Sequence, residues 1–220
     1  MKIALISACY GNYDPIRPLP EWHGFDDAIY VTDDPSKIGN GWRIYLEPTN
    51  QHPRLAAKQP KMMPWKYTDC EAAVWIDASF EIINSGFRQW VEQHLERDDF
   101  VVWEHPEERR CISQEGPVCW DWPKYADYDI RGQIQHYVRN GMPLMWGLFA
   151  CGTVGYRFTP AAKKIGTAWY GENVRWSIQD QISLPYVLWK SGKPFGKWRA
   201  NEYQNDYLRL RWDERPNPMD

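Results

Sequence analysis

The sequence has no CxxC pair, no apolar run long enough to span a bilayer (about eighteen residues) and no excess of positive charge. Each absence removes a class of protein. The five cysteines, Cys9, Cys70, Cys111, Cys119 and Cys151, are odd in number and widely spaced. They make neither a zinc knuckle nor a disulfide framework and read as reduced thiols. The apolar start, Met1-Lys2-Ile3-Ala4-Leu5-Ile6-Ser7, soon meets polar residues and lacks the length and cleavage site of a secretory signal. It reads as a first strand, and the expected location is cytoplasmic, with no membrane as partner. Lys and Arg total 26 against 29 Asp and Glu, a net charge of -3, so no global basic field points to nucleic acid. There is no internal repeat, low-complexity segment or interdomain linker. GxGxxG, P-loop, GxSxG and HExxH patterns are all missing, and no Ser-His-Asp or Cys-His set can be placed by spacing.

What is present suits one domain of ordinary size. The 220 residues are 43% hydrophobic, and folding should remove roughly 27,000 Å² of roughly 38,000 Å² from water. Strand-like runs lie at 3–9, 28–32, 42–46, 72–76, 80–83, 100–103 and 148–156. Helical spacing is read over 53–59, with Pro60 as its stop, from Phe87 to Leu95, over 126–140, and from Pro160 behind a Thr159 cap. A further helix follows Ser177 as cap, with Pro185 expected to kink or shorten it. Alternating strands and helices with buried strands predict an α/β fold with a mostly parallel sheet covered by helices. In such sheets ligands bind beyond the carboxyl ends of the strands.

The strand ends are rich in polar residues: Tyr10, Gly11, Asn12 and Asp14, then Asp33 and Asp34, then Asp77 and Ser79, then Glu104 and His105. Val74-Trp75-Ile76-Asp77 sets a carboxylate on the sheet rim. There it can serve a divalent ion that neutralises a leaving diphosphate, or simply form a turn. Arg54 and Lys58 stand four apart, so on a helix both heads leave one face, suited to a diphosphate or to solvent. Residues 103–115 mix acid, base and imidazole. Read functionally, His105, Arg110 and Glu115 grip an acceptor or a sugar hydroxyl; read structurally, the stretch is a surface loop of compensated charge. In Ser177-Ile178-Gln179-Asp180-Gln181 the helix dipole favours the acid whatever its task. The 14 Trp exceed the needs of a core, and their flat amphipathic rings suit sugars, bases or interfaces.

The order of these pieces resembles the GT-A-like hexosyltransferase family of plant mucilage and pollen-turgor proteins, long catalogued as a domain of unknown function. The resemblance runs through Tyr10-Gly11-Asn12-Tyr13-Asp14, Tyr30-Val31-Thr32-Asp33, Pro53-Arg54 with Ala57-Lys58, and Trp75-Ile76-Asp77-Ala78-Ser79. It continues through His105-Pro106 with Arg109, Arg110, Cys111 and Glu115, Gln133 with Tyr137 and Gly141-Met142-Pro143, and Gln179-Asp180-Gln181-Ile182-Ser183. It implies a single GT-A-type, Rossmann-like domain over 1–200 with a C-terminal extension over 201–220, and a glycogenin-like fold. It also implies transfer of a hexose from a nucleotide-sugar, UDP-hexose as first choice, to a hydroxyl on a protein, glycan or lipid-linked acceptor.

The implied donor contacts are Tyr10, Asp33, Arg54, Lys58 and Asp77; the implied catalytic residues are Asp180 and Asp77, with retention of configuration. His105, Arg110 and Glu115 stand on the acceptor side, together with Trp103, Trp120, Trp122, Trp146, Trp176 and Trp198. The resemblance further implies a Mn or Mg ion on a DxD element, here Asp77 and Ser79. The second carboxylate is thus a hydroxyl, and no His follows His136 to serve as a late ligand. Either Asp77, phosphates and water hold the ion, or Arg54 and Lys58 supply the positive charge. Two other readings remain: a non-catalytic carbohydrate-binding protein, and transfer to a modified DNA base using a local patch of Lys58, Lys61, Lys66 and Arg88.

Overall fold

The computed structural model describes residues 1–12 and 14–211; Tyr13 of the first motif and the end of the C-terminal segment lie outside them. Nine strands form two sheets among these residues. The larger has seven strands in the order β3-β2-β1-β4-β7-β6-β8. These are β1 (Ile3–Ala8), β2 (Asp27–Thr32), β3 (Arg43–Leu46), β4 (Ala72–Ile76), β6 (Phe100–Glu104), β7 (Phe149–Arg157) and β8 (Gly196–Lys197). Only β7 runs against the others, pairing antiparallel with both β4 and β6. The smaller sheet joins β5 (Phe80–Ile82) to β9 (Leu208–Leu210).

Burial on both faces explains the unbroken apolar runs. In β1, Ala4 and Ile6 enter one core cluster while Ile3 and Leu5 enter another. In β4, Ala73 and Trp75 go with the first and Ala72, Val74 and Ile76 with the second. A strand covered on both faces has no polar side to present, so alternation disappears. The first face carries α2 (Lys58–Met62), α6 (Pro160–Arg175) and α7 (Asp180–Ser191); the second carries α3 (Phe87–Leu95). A third cluster joins α4 (Ile112–Trp120), α5 (Ile130–Arg139) and α7.

Several local expectations need correction. Pro60 does not end its helix. The chain forms α1 (Pro53–Ala56), turns at Ala57 and continues as α2. Pro60 falls in the first turn of α2, where a missing N–H costs no helical bond. Ser177 is not a cap either: its hydroxyl, fully buried, donates to Gln133 Oε1 at 2.7 Å, and α7 starts after Gln179. Pro185 sits inside α7, which runs on to Ser191. Its ring is buried beside Leu184 and Leu188, and that packing offsets the lost backbone bond. Helix α4 has no counterpart in the sequence pattern, because Gly116 and Pro117 break its periodicity.

Trp103 and Trp198, expected on the acceptor side, belong to the core. Trp198 stacks on Trp90 with ring centroids 4.8 Å apart, Trp90 also stacks on Tyr207 at 4.9 Å, and Trp103 lies 5.6 Å from Trp90. Part of the tryptophan excess is therefore an aromatic stack under α3. No described helix is long and apolar enough to cross a membrane.

Candidate active site

The strand order reverses between β1 and β4, and the carboxyl ends of these two strands open into a cleft of about 600 Å³. That is where an open α/β sheet leaves room for a ligand. Ala8 ends β1 on the cleft wall, Asp77 and Ser79 follow β4, and His105 follows β6. Helix α2 brings Lys58 and Lys61 over the rim, α1 brings Arg54, and α7 begins with Asp180.

Asp180 is buried, and its Oδ2 accepts from Lys58 Nζ and Lys61 Nζ, each at 2.7 Å. Burial alone would raise its pKa; the two ammonium groups more than reverse this and hold the carboxyl well below its ordinary range. Lys61, 3% exposed, also reaches Asp77 Oδ1 at 3.2 Å. Its burial disfavours charge, but Asp180 and Asp77 outweigh that and keep it protonated. Trp75 Nε1 donates to the same Asp77 oxygen at 2.7 Å. The Asp77 side chain is 38% exposed, its face open to the cleft.

The opposite wall is built around Arg109. Its Nε donates to Glu115 Oε2 at 2.6 Å, a second nitrogen pairs with Glu107, and His105 Nε2 lies 3.5 Å from Nη2. Glu115 sits in the first turn of α4, where the helix dipole favours an acid. Burial raises its pKa, with Arg109 opposing. Burial and the Arg109 charge push His105 down to about 4, so the imidazole is neutral near pH 7. Gln179 Nε2 donates to Glu115 Oε1 at 3.2 Å, and the next residue is Asp180, so one dipeptide ties the two walls together. Trp122 and Tyr125 also line the cleft, stacked at 6.3 Å with Lys124 Nζ 4.0 Å over the indole.

Of the residues singled out in the sequence, Arg54, Lys58, Asp77, Ser79, His105, Glu115 and Asp180 meet in this cleft. Tyr10, Asp33 and Arg110 are not among its lining residues. Tyr10 is buried and its hydroxyl donates to Glu47; Asp33 accepts from Gly11 N at 3.0 Å, tying the ends of β1 and β2. Arg110 spends its guanidinium on the carbonyls of His105, Glu107 and Arg109. Lys61 is no part of a surface basic patch, because it is buried, and Arg88 pairs instead with Glu92 and Asp26.

Lys61 and Glu202, like Lys124 and Tyr125, escape a reading of the sequence as donor or acceptor groups. Lys61 was findable, since it stands three after Lys58 on the same helical face. Glu202 was not, since it lies in a stretch without periodicity. Its carboxyl accepts from Gly152 N at 2.8 Å, and Asp77 N donates to Gly152 O at 2.8 Å, so Gly152 links the two acids. A Cβ on Gly152 would meet Glu202 Oε1 at 2.5 Å and Phe80 Cε2 at 2.6 Å, so only glycine fits. The β6–β7 pairing jumps from Val154 to Ala150 beside this point, an irregularity that leaves Gly152 without a partner on β6. Burial, then repulsion from Asp77, pushes Glu202 up to about 8.

The residues present do not fit a protein-held metal. Asp77 Oδ1 already takes an ammonium and an indole N–H, and the acids nearby are engaged as well, Asp180 by two lysines and Glu202 by Gly152 N. Ser79, at the second DxD position, is buried, and its carbonyl accepts from Arg211 N. Among the described residues no three His, Cys, Asp or Glu gather to hold an ion.

No curated protein matches the chain. The motifs from Tyr30 to Ser183, with the polar groups of both walls described above, fall within residues 25–209. Those residues match the family model described as "TOD1/MUCI70, glycosyltransferase-like domain", and the chain belongs to that family.

Proposed function

We propose that the protein transfers a hexose from a nucleotide-sugar, UDP-hexose first, to a hydroxyl of a protein, glycan or lipid-linked acceptor in the cytoplasm. The observation that carries this reading is the pairing of a cation-lined rim with an open carboxylate at the reversal of strand order: Lys58 and Lys61 on Asp180, with Asp77 facing the cleft.

Transfer breaks the bond between C1 and the diphosphate oxygen, with the electron pair passing to that oxygen. The acceptor oxygen forms the new C1–O bond, and its proton leaves with the diphosphate. Positive charge at the departing oxygens is then the strongest stabilisation that the protein can supply. Lys58 turns from Asp180 to the diphosphate, and Arg54 adds a bidentate donor. Asp180, still held by Lys61, faces the anomeric centre, and transfer retains configuration. Asp77 accepts from a sugar hydroxyl. Glu115 and the neutral His105 orient the acceptor hydroxyl, and the Trp122–Tyr125 stack carries a sugar ring.

Asp77→Ala removes an exposed carboxylate, while Lys61 keeps Asp180 as partner. The variant should unfold within a few degrees of wild type and lose transfer by about 10³-fold or more. Full transfer in a panel of nucleotide-sugars, followed by released nucleotide, would sink the reading.

A further inference from the structure

We propose that Lys61 is the resident cation of the donor site, standing between Asp77 and Asp180 where a divalent ion would otherwise bridge carboxylate to diphosphate, so that nucleotide binding needs no metal. The inference rests on the transferase reading above and deepens it.

Three features of the geometry point this way. First, the ammonium is not a surface group that wandered inward. It is 3% exposed, 2.7 Å from Asp180 Oδ2, 3.2 Å from Asp77 Oδ1 and 5.8 Å from the centroid of the Trp75 ring. A charge so far from water is tolerable only with its counterions in place. Second, one of the two Asp77 oxygens, Oδ1, is already engaged. Trp75 Nε1 donates to it at 2.7 Å alongside the Lys61 contact. A Mg or Mn ion needs an oxygen within roughly 2.0–2.2 Å, and would there stand against a fixed positive charge. Third, the neighbouring position contributes a buried hydroxyl, Ser79, in place of an acid.

Two ammonium groups on one helix thus divide the work. Lys58, whose side chain is 16% exposed, is the one able to turn to a diphosphate. Lys61, deeper, keeps Asp180 ionised and ties it to Asp77 through one ammonium. It is a positioning residue: it acts through Asp77 and Asp180.

The test uses the full chain after exhaustive dialysis against EDTA, with UDP and GDP as probes in titration calorimetry. The better-bound nucleotide should show the same affinity, to within about two-fold, in EDTA and in millimolar Mn²⁺. Binding that requires Mn²⁺, or improves tenfold with it, overturns the inference and leaves the transferase reading standing. No binding of either nucleotide under any condition removes both.

A second measurement follows the Mn²⁺ resonance signal without nucleotide. Wild type should leave it unchanged, whereas Lys61→Met, which leaves Asp77 without a cation and Asp180 with Lys58 alone, should capture Mn²⁺ and bind nucleotide only in its presence. Capture by wild type, or metal-free nucleotide binding by a folded Lys61→Met at wild-type affinity, overturns the proposal. Circular dichroism reports whether the variant folds; if it does not, the wild-type titration decides.

Discussion

The two walls of the cleft solve opposite electrostatic problems. On the donor wall one carboxylate, Asp180, is shared by two cations; on the facing wall one cation, Arg109, is shared by two carboxylates, Glu115 and Glu107. The first arrangement can surrender a cation to an incoming anion and keep its acid paired. The second can surrender nothing to an anion, but its acids can accept from a neutral hydroxyl. Each wall has a buried heart and an open edge: Asp180 and Lys61 on one, Glu115 and His105 on the other are almost closed to solvent, while Asp77 and Glu107 carry the exposure. In the proposed reaction this asymmetry would set a diphosphate against one wall and a neutral hydroxyl against the other.

The largest effect is expected where the comparison is broken at its tightest point. Asp180→Asn leaves Lys58 and Lys61 facing each other with their shared acid gone. Removing one partner of a buried pair costs about 3–5 kcal/mol, so thermal unfolding should move down by many degrees and transfer should vanish. A variant as stable as wild type would mean that the two lysines find water or Asp77 at no cost, and that the donor wall is not held by this knot.

Next in size are two opposite responses to pH, one on each side. His105, neutral at about 4 and above when folded, titrates near 6.5 when unfolded. The stability it protects is complete above 6.5 and is lost as pH falls toward 4. Glu202, raised to about 8 from 4.5, holds its proton longer in the folded state. Its contribution is complete below 4.5 and is lost as pH rises through 8. The two windows overlap, so the opposite slopes cancel between about 4.5 and 6.5 and stability there is nearly level. Above 6.5 only Glu202 still titrates, and stability measured by chemical denaturation should fall by about 2 kcal/mol on the way to pH 8. Glu202→Gln should remove that fall and leave stability rising with pH from 4 to 6.5, whereas His105→Gln should extend the fall downward so that it begins near 4.5. A curve left unchanged by either substitution would show that the substituted group does not carry its slope.

Most of the frame could be read in the sequence, because periodicity and strand-end chemistry are local. Strands β1 to β7, the cap at Thr159 and the gathering of Arg54, Lys58, Asp77, Asp180, His105 and Glu115 at one sheet edge follow from patterns within a few residues, whereas the short β8 and β9 carry no such pattern. What was hidden depends on long-range partners. Nothing local says that β7 runs antiparallel, yet that pairing is what brings Gly152, and through it Glu202, to Asp77. Lys61 resembles a solvated lysine because its two counterions lie far along the chain. Trp103 and Trp198 look available for sugars because the stack that buries them is assembled from α3, β6 and the segment after β8. Trp122, in contrast, does line the cleft.

The smallest effect sharpens the comparison most. Glu115→Gln keeps the shape of the acceptor wall and lets the amide oxygen accept from Arg109, but it removes the charge that balances that guanidinium. The donor wall keeps its tie once the Gln179 amide turns over, so that its oxygen accepts from the new NH2 group where its own NH2 had donated to Glu115 Oε1. Hydrolysis of the nucleotide-sugar by water should therefore be unchanged, while transfer to an acceptor drops about tenfold, near 1.4 kcal/mol of lost orientation. The two rates measured on one preparation separate the walls. Equal loss in both would place Glu115 with the donor, and the division between an anion-holding and a hydroxyl-holding side would fall.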